Sequence, residues 1–196
     1  AYSLYLATST ELGANTQLTA SVRYNRARVT NTLFNENGVQ PTESFTYTRL
    51  NPSLGLTYRV ASAATLFANI AQSNRVPTVI ELGCADPDNP CRLPVGLQAD
   101  PYLKQVVART VEAGVRGRFG GAIDSGSYAL SLHRTVNDDD ILFLSAPSRQ
   151  GYFANFERTL RQGVDASFTR QYGRLGVQLT YSFLQAEYDA DGELFT

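Results

Sequence analysis

Residues 47–73 read YTRLNPSLGLTYRVASAATLFANIAQS, and the spacing within them decides the fold. Counted by twos, Leu50, Pro52, Leu54, Leu56 and Tyr58 share one face. Arg49, Asn51, Ser53, Gly55, Thr57 and Arg59 share the other. A strand sends successive side chains to opposite faces, so this spacing predicts a ribbon with one apolar and one polar side. Arg59 to Ala63 reads as a short reversal. Beyond it Leu66, Ala68 and Ile70 alternate with Thr65 and Asn69, while Phe67 and Ala71 blur the second face. The stretch is predicted to be one long hairpin with a tight turn.

The same period extends in both directions. Tyr2, Leu4 and Leu6 oppose Ser3, Tyr5, Ala7 and Ser9, and Gly13-Ala14-Asn15 is a turn signal. Leu18, Ala20, Val22 and Tyr24 then oppose Thr19, Ser21, Arg23 and Asn25. Downstream, Val107, Val111, Ala113, Val115 and Phe119 oppose Thr110, Glu112, Gly114, Arg116 and Arg118. Tyr128, Leu130 and Leu132 oppose Ser127, Ala129, Ser131 and His133. Leu160, Val164, Ala166 and Phe168 oppose Thr159, Arg161, Gly163, Asp165, Ser167 and Thr169. Leu175, Val177, Leu179, Tyr181 and Phe183 oppose Gly176, Gln178, Thr180 and Ser182. The pattern gives eight strands and no helix. Links after the odd-numbered strands are short. Those after the even-numbered ones are long, at 32–46, 74–104 and 137–151, with Ile141 to Leu144 able to continue the strand above a polar interruption. Pro77, Pro87, Pro90, Pro94 and Pro101 forbid a central strand in the longest of them.

Composition narrows what such strands can be. Charged residues are 18% of the 196, below the roughly 25% of soluble domains. A net charge of −1 provides no basic field for nucleic acid. No apolar run approaches the ~20 residues of a membrane helix, which leaves barrel strands open, since they hide their apolar residues in alternate positions. Several predicted strands run past ten residues, whereas soluble strands average about 5–6. Tyr24, Tyr58, Tyr152, Phe153, Phe156, Tyr172 and Tyr181 gather near strand ends, as aromatic girdles do. The expected fold is all-β, an antiparallel up-and-down meander of about eight long strands forming part of a transmembrane β-barrel. Its apolar face would meet outer-membrane lipid and its polar face an aqueous lumen. With no methionine, the chain is expected to be a mature product or an excised piece, and the closing DGELFT reads as a loop entering another strand.

Several stretches together resemble the later barrel strands of TonB-dependent outer-membrane receptors. They are SVRYN at 21–25, NPSLGLTYRV and LFANIAQSNRVPTVIEL within 51–82, DPYLKQVVARTVEAGVRG at 100–117, DDDILF at 138–143 and NFERTLRQGVDASF at 155–168. The family's Arg-x-Pro-x-x-x-Glu-Leu strand ending is matched by Arg75, Pro77, Glu81 and Leu82. Its Leu-Lys strand carrying Glu and Gly is matched by Leu103, Lys104, Glu112 and Gly114, and its Arg-Gln-Gly-Val-Asp strand by Arg161 to Asp165. The resemblance implies a bacterial outer-membrane transporter for a scarce small-molecule ligand, such as a ferric siderophore or another metal chelate. It implies energy passed from the TonB system through an N-terminal plug. Residues 1–196 would be a partial barrel, without the plug, the TonB box or the closing aromatic-ended strand. No enzymatic activity and no cofactor is expected.

Individual site residues are weighed against plainer roles. Cys84 and Cys91, in GCADPDNPCRLP, are expected to close a small loop as a disulfide, the alternative being two unpaired thiols. His133 is the only histidine and is expected to be a solvated lumen residue; a lipase or acyltransferase would need it beside a Ser or Asp. Asp138, Asp139 and Asp140, like Asp86 and Asp88, are expected to be solvated loop charges rather than cation ligands. Glu112, Arg116, Arg118, Arg161 and Asp165 are expected to pair with one another as charge ladders. Tyr102, Tyr152 and Phe153 are expected to be interface anchors. Ligand contact is assigned to the rim carrying 74–104, 32–46 and 137–151. Two competing architectures are kept. A complete small barrel, a passive pore or structural protein, requires residues 1–10 to pair with 174–188. A soluble lipocalin-like carrier requires an apolar inside.

Overall fold

The computed structural model describes residues 1–32, 34–35, 38–39, 42–83, 103–121, 124–145 and 151–189. Its long strands are β1 (Tyr2–Gly13), β2 (Thr16–Asn31), β5 (Glu43–Ala61), β6 (Ala64–Arg75), β7 (Val106–Gly120), β8 (Asp124–Ser145), β9 (Gly151–Tyr172) and β10 (Leu175–Tyr188). They form one sheet in the order β1-β2-β5-β6-β7-β8-β9-β10, each antiparallel to the next. A two-stranded ribbon, β3 (Phe34–Asn35) with β4 (Gly38–Val39), stands apart in the second link. One short helix, α1 (Val79–Gly83), follows β6.

Three expectations are corrected. A helix is present. The segment 137–151 is mostly strand, because β8 runs unbroken to Ser145 against β9. β1 and β10 are the two edges of an open sheet and do not pair, which removes the complete small barrel.

Residues opposite one another across antiparallel strands point to the same side, so the register defines two faces. One row reads Leu18, Leu56, Ala68, Ala113, Leu132, Val164 and Phe183 from β2 to β10. The row beside it reads Gln17, Thr57, Phe67, Gly114, Ser131, Asp165 and Ser182. The apolar row belongs to the exposed face: Leu56, Leu132 and Phe183 are 41%, 58% and 51% exposed. Among the described residues, 28 large apolar side chains are exposed and only six hydrophobics are buried. Burying one such side chain is worth about 1.5–3 kcal/mol, so this face requires an apolar solvent. Leu50–Tyr58 and Leu175–Phe183 each run nine residues, the length a tilted strand needs to cross hydrocarbon. The lipocalin-like carrier, which puts its apolar face inside, does not fit this distribution.

Above this band the faces exchange character. On β5 the outward residues become Thr48, Thr46 and Ser44, while inward Tyr47 is buried and Phe45 half-buried. On β2 the outward residues become Arg26, Arg28 and Thr30, with Ala27 and Val29 inward. Inward apolar residues at this rim meet the two ends of the long link. Leu82, Leu103, Val106 and Ile141 form a buried cluster, and Val29, Phe45 and Phe153 pack against it.

Candidate functional site

The site lies where the long link enters and leaves the concave side of the sheet. β6 leads out through Arg75, and Pro77 and Leu82 are fully buried behind it. Thr78 caps α1. Its hydroxyl accepts from the Glu81 N–H at 3.2 Å, and the Glu81 carboxylate accepts from the Thr78 N–H at 2.7 Å. This reciprocal pair satisfies two N–H groups that a helix start leaves open. The Arg75 guanidinium donates to both Glu81 oxygens at 2.8 and 2.9 Å. Partial burial pushes the Glu81 carboxyl up, but the hydrogen bonds and charge of Arg75 and the Thr78 contacts outweigh it. The group sits below the ordinary carboxylate range. The helix touches β2 on one side and β9 on the other, so it bridges the concavity.

The returning end is held as firmly. The Tyr47 hydroxyl donates to the Leu103 carbonyl at 2.9 Å. Asn155 uses its side-chain amide as a piece of strand: Oδ1 accepts from Lys104 N at 2.8 Å, and Nδ2 donates to Lys104 O and Asp139 O. Asn74 ties the two ends to the wall. Its Oδ1 accepts from Asn25 and Asn51, and its Nδ2 donates to Gln105 at 2.9 Å.

Between these ends opens a cleft of about 340 Å³, lined in part by Asn74, Arg75, Asn137, Asp140, Ile141 and Arg161. Its floor is a buried polar chain. Asn137 Nδ2 donates to Thr159 Oγ1 at 3.0 Å, Thr159 donates to Asp140 Oδ2 at 2.6 Å, and Ile141 N donates to Asp140 Oδ1. Arg161 reaches Asp140 only at 3.7 Å, and its side chain is 55% exposed. Both arginines keep donors free: Arg75 gives Nη1 to Glu81, and Arg161 makes no hydrogen bond to a carboxylate among the described residues.

An eight-stranded wall with one apolar outer face and an inward-tucked link at one rim is the geometry of a large barrel segment. The family model for the TonB-dependent receptor-like β-barrel matches residues 1–196. The chain belongs to the TonB-dependent receptor family. Barrels of this family reside in the bacterial outer membrane and are transporters rather than enzymes. Similar solved structures include the hemophore receptor HasR of Serratia marcescens with its hemophore HasA and heme. That match has a TM-score of 0.71 and 16% identity, over 93% of this chain and 33% of that one. The copper transporter OprC matches with a TM-score of 0.67 and 16% identity, over 93% and 28%. The siderophore receptor PirA of Pseudomonas aeruginosa matches at 0.63 and 17%, over 93% and 31%. At these identities the likeness shows the fold alone, and the chain spans about a quarter to a third of each receptor's length. No curated protein matches it by sequence.

The receptor motifs now have physical content. Arg75, Pro77, Glu81 and Leu82 are clamp, buried turn, cap partner and core plug of one small structure. The Thr-x-x-Glu signal at 78–81 marks a helix start and was readable in the sequence. Glu112 and His133 stand directly opposite each other, and Gly114 and Gly163 lie in the neighbouring wall. At Gly114 an added Cβ would fall 2.6 Å from the Phe67 ring, and at Gly163 2.9 Å from His133. Glycine lets both rings lie flat on the wall. Phe67, which blurs the face in sequence, receives Arg116 over its ring at 5.5 Å.

The predicted charge ladders do not form as drawn. Arg116 meets Phe67, Arg161 faces Asp140, and Asp165 pairs with His133 Nδ1 at 3.2 Å. Ser182 donates to Asp165 rather than to His133, so His133 does not activate Ser182. Asp138, Asp139 and Asp140 are not solvated loop charges. They sit in β8, each with its own cation: Arg109 and Arg158, Lys104, and Arg161. Asp139 takes a left-handed φ of 53° where the β7 pairing has just ended. Among the described residues no acidic, His or Cys group could hold a metal. Phe153 is not an interface anchor: it packs on the Leu82 cluster and edge-on to Phe143 at 5.1 Å. Cys84, Cys91, Asp86, Asp88 and Tyr102 lie outside the described residues.

Proposed function

We propose that this chain is a stretch of wall from a receptor that imports a scarce metal chelate, and that the cleft at Arg161 forms part of its ligand-facing surface. The observation that carries the reading is the tucked link. It brings Arg75, Asn74 and Lys104 to the concave rim and leaves Arg161 exposed beside a buried acid that only weakly engages it. An exposed guanidinium in a concave, partly water-excluded cleft suits an anionic ligand, and many metal chelates carry net negative charge. Residues 1–196 then supply part of the barrel. The plug and the contact with the TonB system belong to the rest of the whole protein. Cys84 and Cys91 are proposed to close a disulfide in the middle of the link, which would show as a two-hydrogen mass gain on reduction.

The test is uptake by cells that carry the full-length receptor as their sole importer of this kind. They are offered iron or copper as catecholate, hydroxamate, citrate or heme complexes. One chelate class should be imported, and Arg161→Gln should reduce that import about tenfold, as loss of one charge-assisted contact does. Uptake of every chelate at the level of receptor-free cells would overturn the proposal.

A further inference from the structure

The outward face just above the apolar band is not uniform. On β7 and β9 its arginines are neutralised: Arg109 and Arg158 both engage Asp138, and Arg158 also reaches Asp189 at 3.7 Å. On β2 they are not. Arg26 and Arg28 point outward two residues apart, roughly 7 Å along the strand, and neither has a carboxylate partner among the described residues. Hydroxyls surround them instead. Arg26 Nη1 lies 3.5 Å from the Tyr2 hydroxyl, and Arg28 Nη2 donates to Ser44 at 3.1 Å, with Thr30 beside Ser44. In register, Arg26 faces Thr48 and Arg28 faces Thr46.

Tyr2 stands opposite Arg26 in register, Tyr24 lies two residues below Arg26 on β2, and their rings pack with centroids 6.4 Å apart. Below them Val22, Ala20 and Leu18 continue outward into the apolar band. Outward tyrosines at the end of an apolar band mark the headgroup level, so Arg26 and Arg28 stand where lipid headgroups stand. Guanidiniums are planar forks that bind phosphate through paired hydrogen bonds, and hydroxyls add further donors. A soluble anion would have no reason to select the membrane border, and a protein partner would need a matching acid on a surface that lipid occupies.

We infer that Arg26, Arg28, Tyr2 and the Ser44–Thr48 hydroxyl row form a docking site for the phosphate-bearing headgroup of an outer-leaflet lipid. The inference rests on the outward-facing reading of this sheet and not on the identity of the transported ligand. Arg134 supplies an internal comparison. It also points outward without a carboxylate, but Leu132 and Val136 flank it on its strand and it has no hydroxyl ring.

Full-length receptor in detergent micelles would be titrated with dioleoylphosphatidic acid, and retained lipid counted by native mass spectrometry. Dioleoylglycerol has the same tails without the phosphate, and inorganic phosphate has the phosphate without tails. The receptor should retain the phosphatidic acid and not dioleoylglycerol, and millimolar phosphate should not displace it. The double variant Arg26→Gln/Arg28→Gln, checked for the heat-modifiable mobility of a folded barrel, should retain about tenfold less. Arg134→Gln should retain as much as the parent. Equal retention by parent and double variant would overturn the inference. So would an equal loss in Arg134→Gln, which would mean bulk charge, or displacement by inorganic phosphate, which would mean a soluble-anion site.

Discussion

The two halves of β5 obey opposite rules. From Leu50 to Tyr58 the apolar residues face outward and are exposed, while Asn51, Ser53, Gly55 and Thr57 face the concave side. From Ser44 to Arg49 the outward residues are hydroxylic, and the apolar Phe45 and Tyr47 face inward. One strand therefore crosses two solvents. In the band, hydrocarbon lies outside and water inside. At the rim, water and headgroups lie outside, and inside Phe45 and Tyr47 meet Leu82 and Leu103 from the two ends of the long link. The contrast teaches that period-two alternation reports a face, and only the surroundings decide which face is dry.

The comparison breaks most visibly if a charge enters the band. Leu54→Arg places a guanidinium at mid-band on the outward face. It should cost about 2–4 kcal/mol of stability in vesicle-embedded, full-length receptor, measured by denaturant titration. The same substitution at outward Thr48 should cost under about 1 kcal/mol. Equal costs at the two positions would mean the band has no boundary there.

The rim half is probed by Leu82→Ala. Leu82 is 2% exposed and central to the link's small core. Its truncation should cost about 2–3 kcal/mol, toward the low end for a buried leucine because a rim cluster can relax. The loss should appear as faster amide exchange at 79–83 and 103–106, with β10 unchanged. Faster exchange in β10 would show that the link and the band are not separate units.

A smaller effect isolates the helix cap. Thr78→Ala should loosen the same segment by about 1 kcal/mol. Acidification should act on the partner. Native Glu81 titrates below its ordinary value of 4.5, so its contribution is complete above that value and is lost as pH falls through the depressed one. Exchange at 79–83 should therefore quicken in the parent once the pH falls below 4.5. In Glu81→Gln it should already be faster at neutral pH and change little on acidification. A segment insensitive to pH in the parent would remove the Arg75–Glu81 clamp from the account. The smallest effect is expected from Arg116→Gln. It removes a cation from the Phe67 ring and should cost about 0.5–1 kcal/mol.

The band was legible in the sequence because each of its strands meets only two environments, and alternation encodes that directly. Leu54, Leu132 and Val177 are exposed on the face their spacing assigns, and the eight expected strands form the main sheet, with only the short β3–β4 ribbon added among the described residues. The rim was less legible because its partners come from far along the chain. Asp138 to Asp140 read as a solvent-exposed run until Lys104, Arg109, Arg158 and Arg161 are seen to arrive from neighbouring strands and the link. Phe45 falls in a stretch assigned to a loop and Tyr47 just after it, and nothing local says that Leu103 returns to them. The Thr78–Glu81 cap is the exception. It is a local signal, a Thr-x-x-Glu spacing set just after Pro77.

The claim beneath all of this is that the even-numbered face of Leu50–Tyr58 touches lipid and the odd-numbered face touches water. Spin labels placed singly at positions 50 to 58 of vesicle-reconstituted receptor, with Cys84 and Cys91 replaced, test it through collision with oxygen and with a water-soluble nickel chelate. The account predicts strict alternation, oxygen favoured at 50, 52, 54, 56 and 58 and nickel favoured at 51, 53, 55 and 57. Nickel access at the even positions, or no alternation at all, would contradict it.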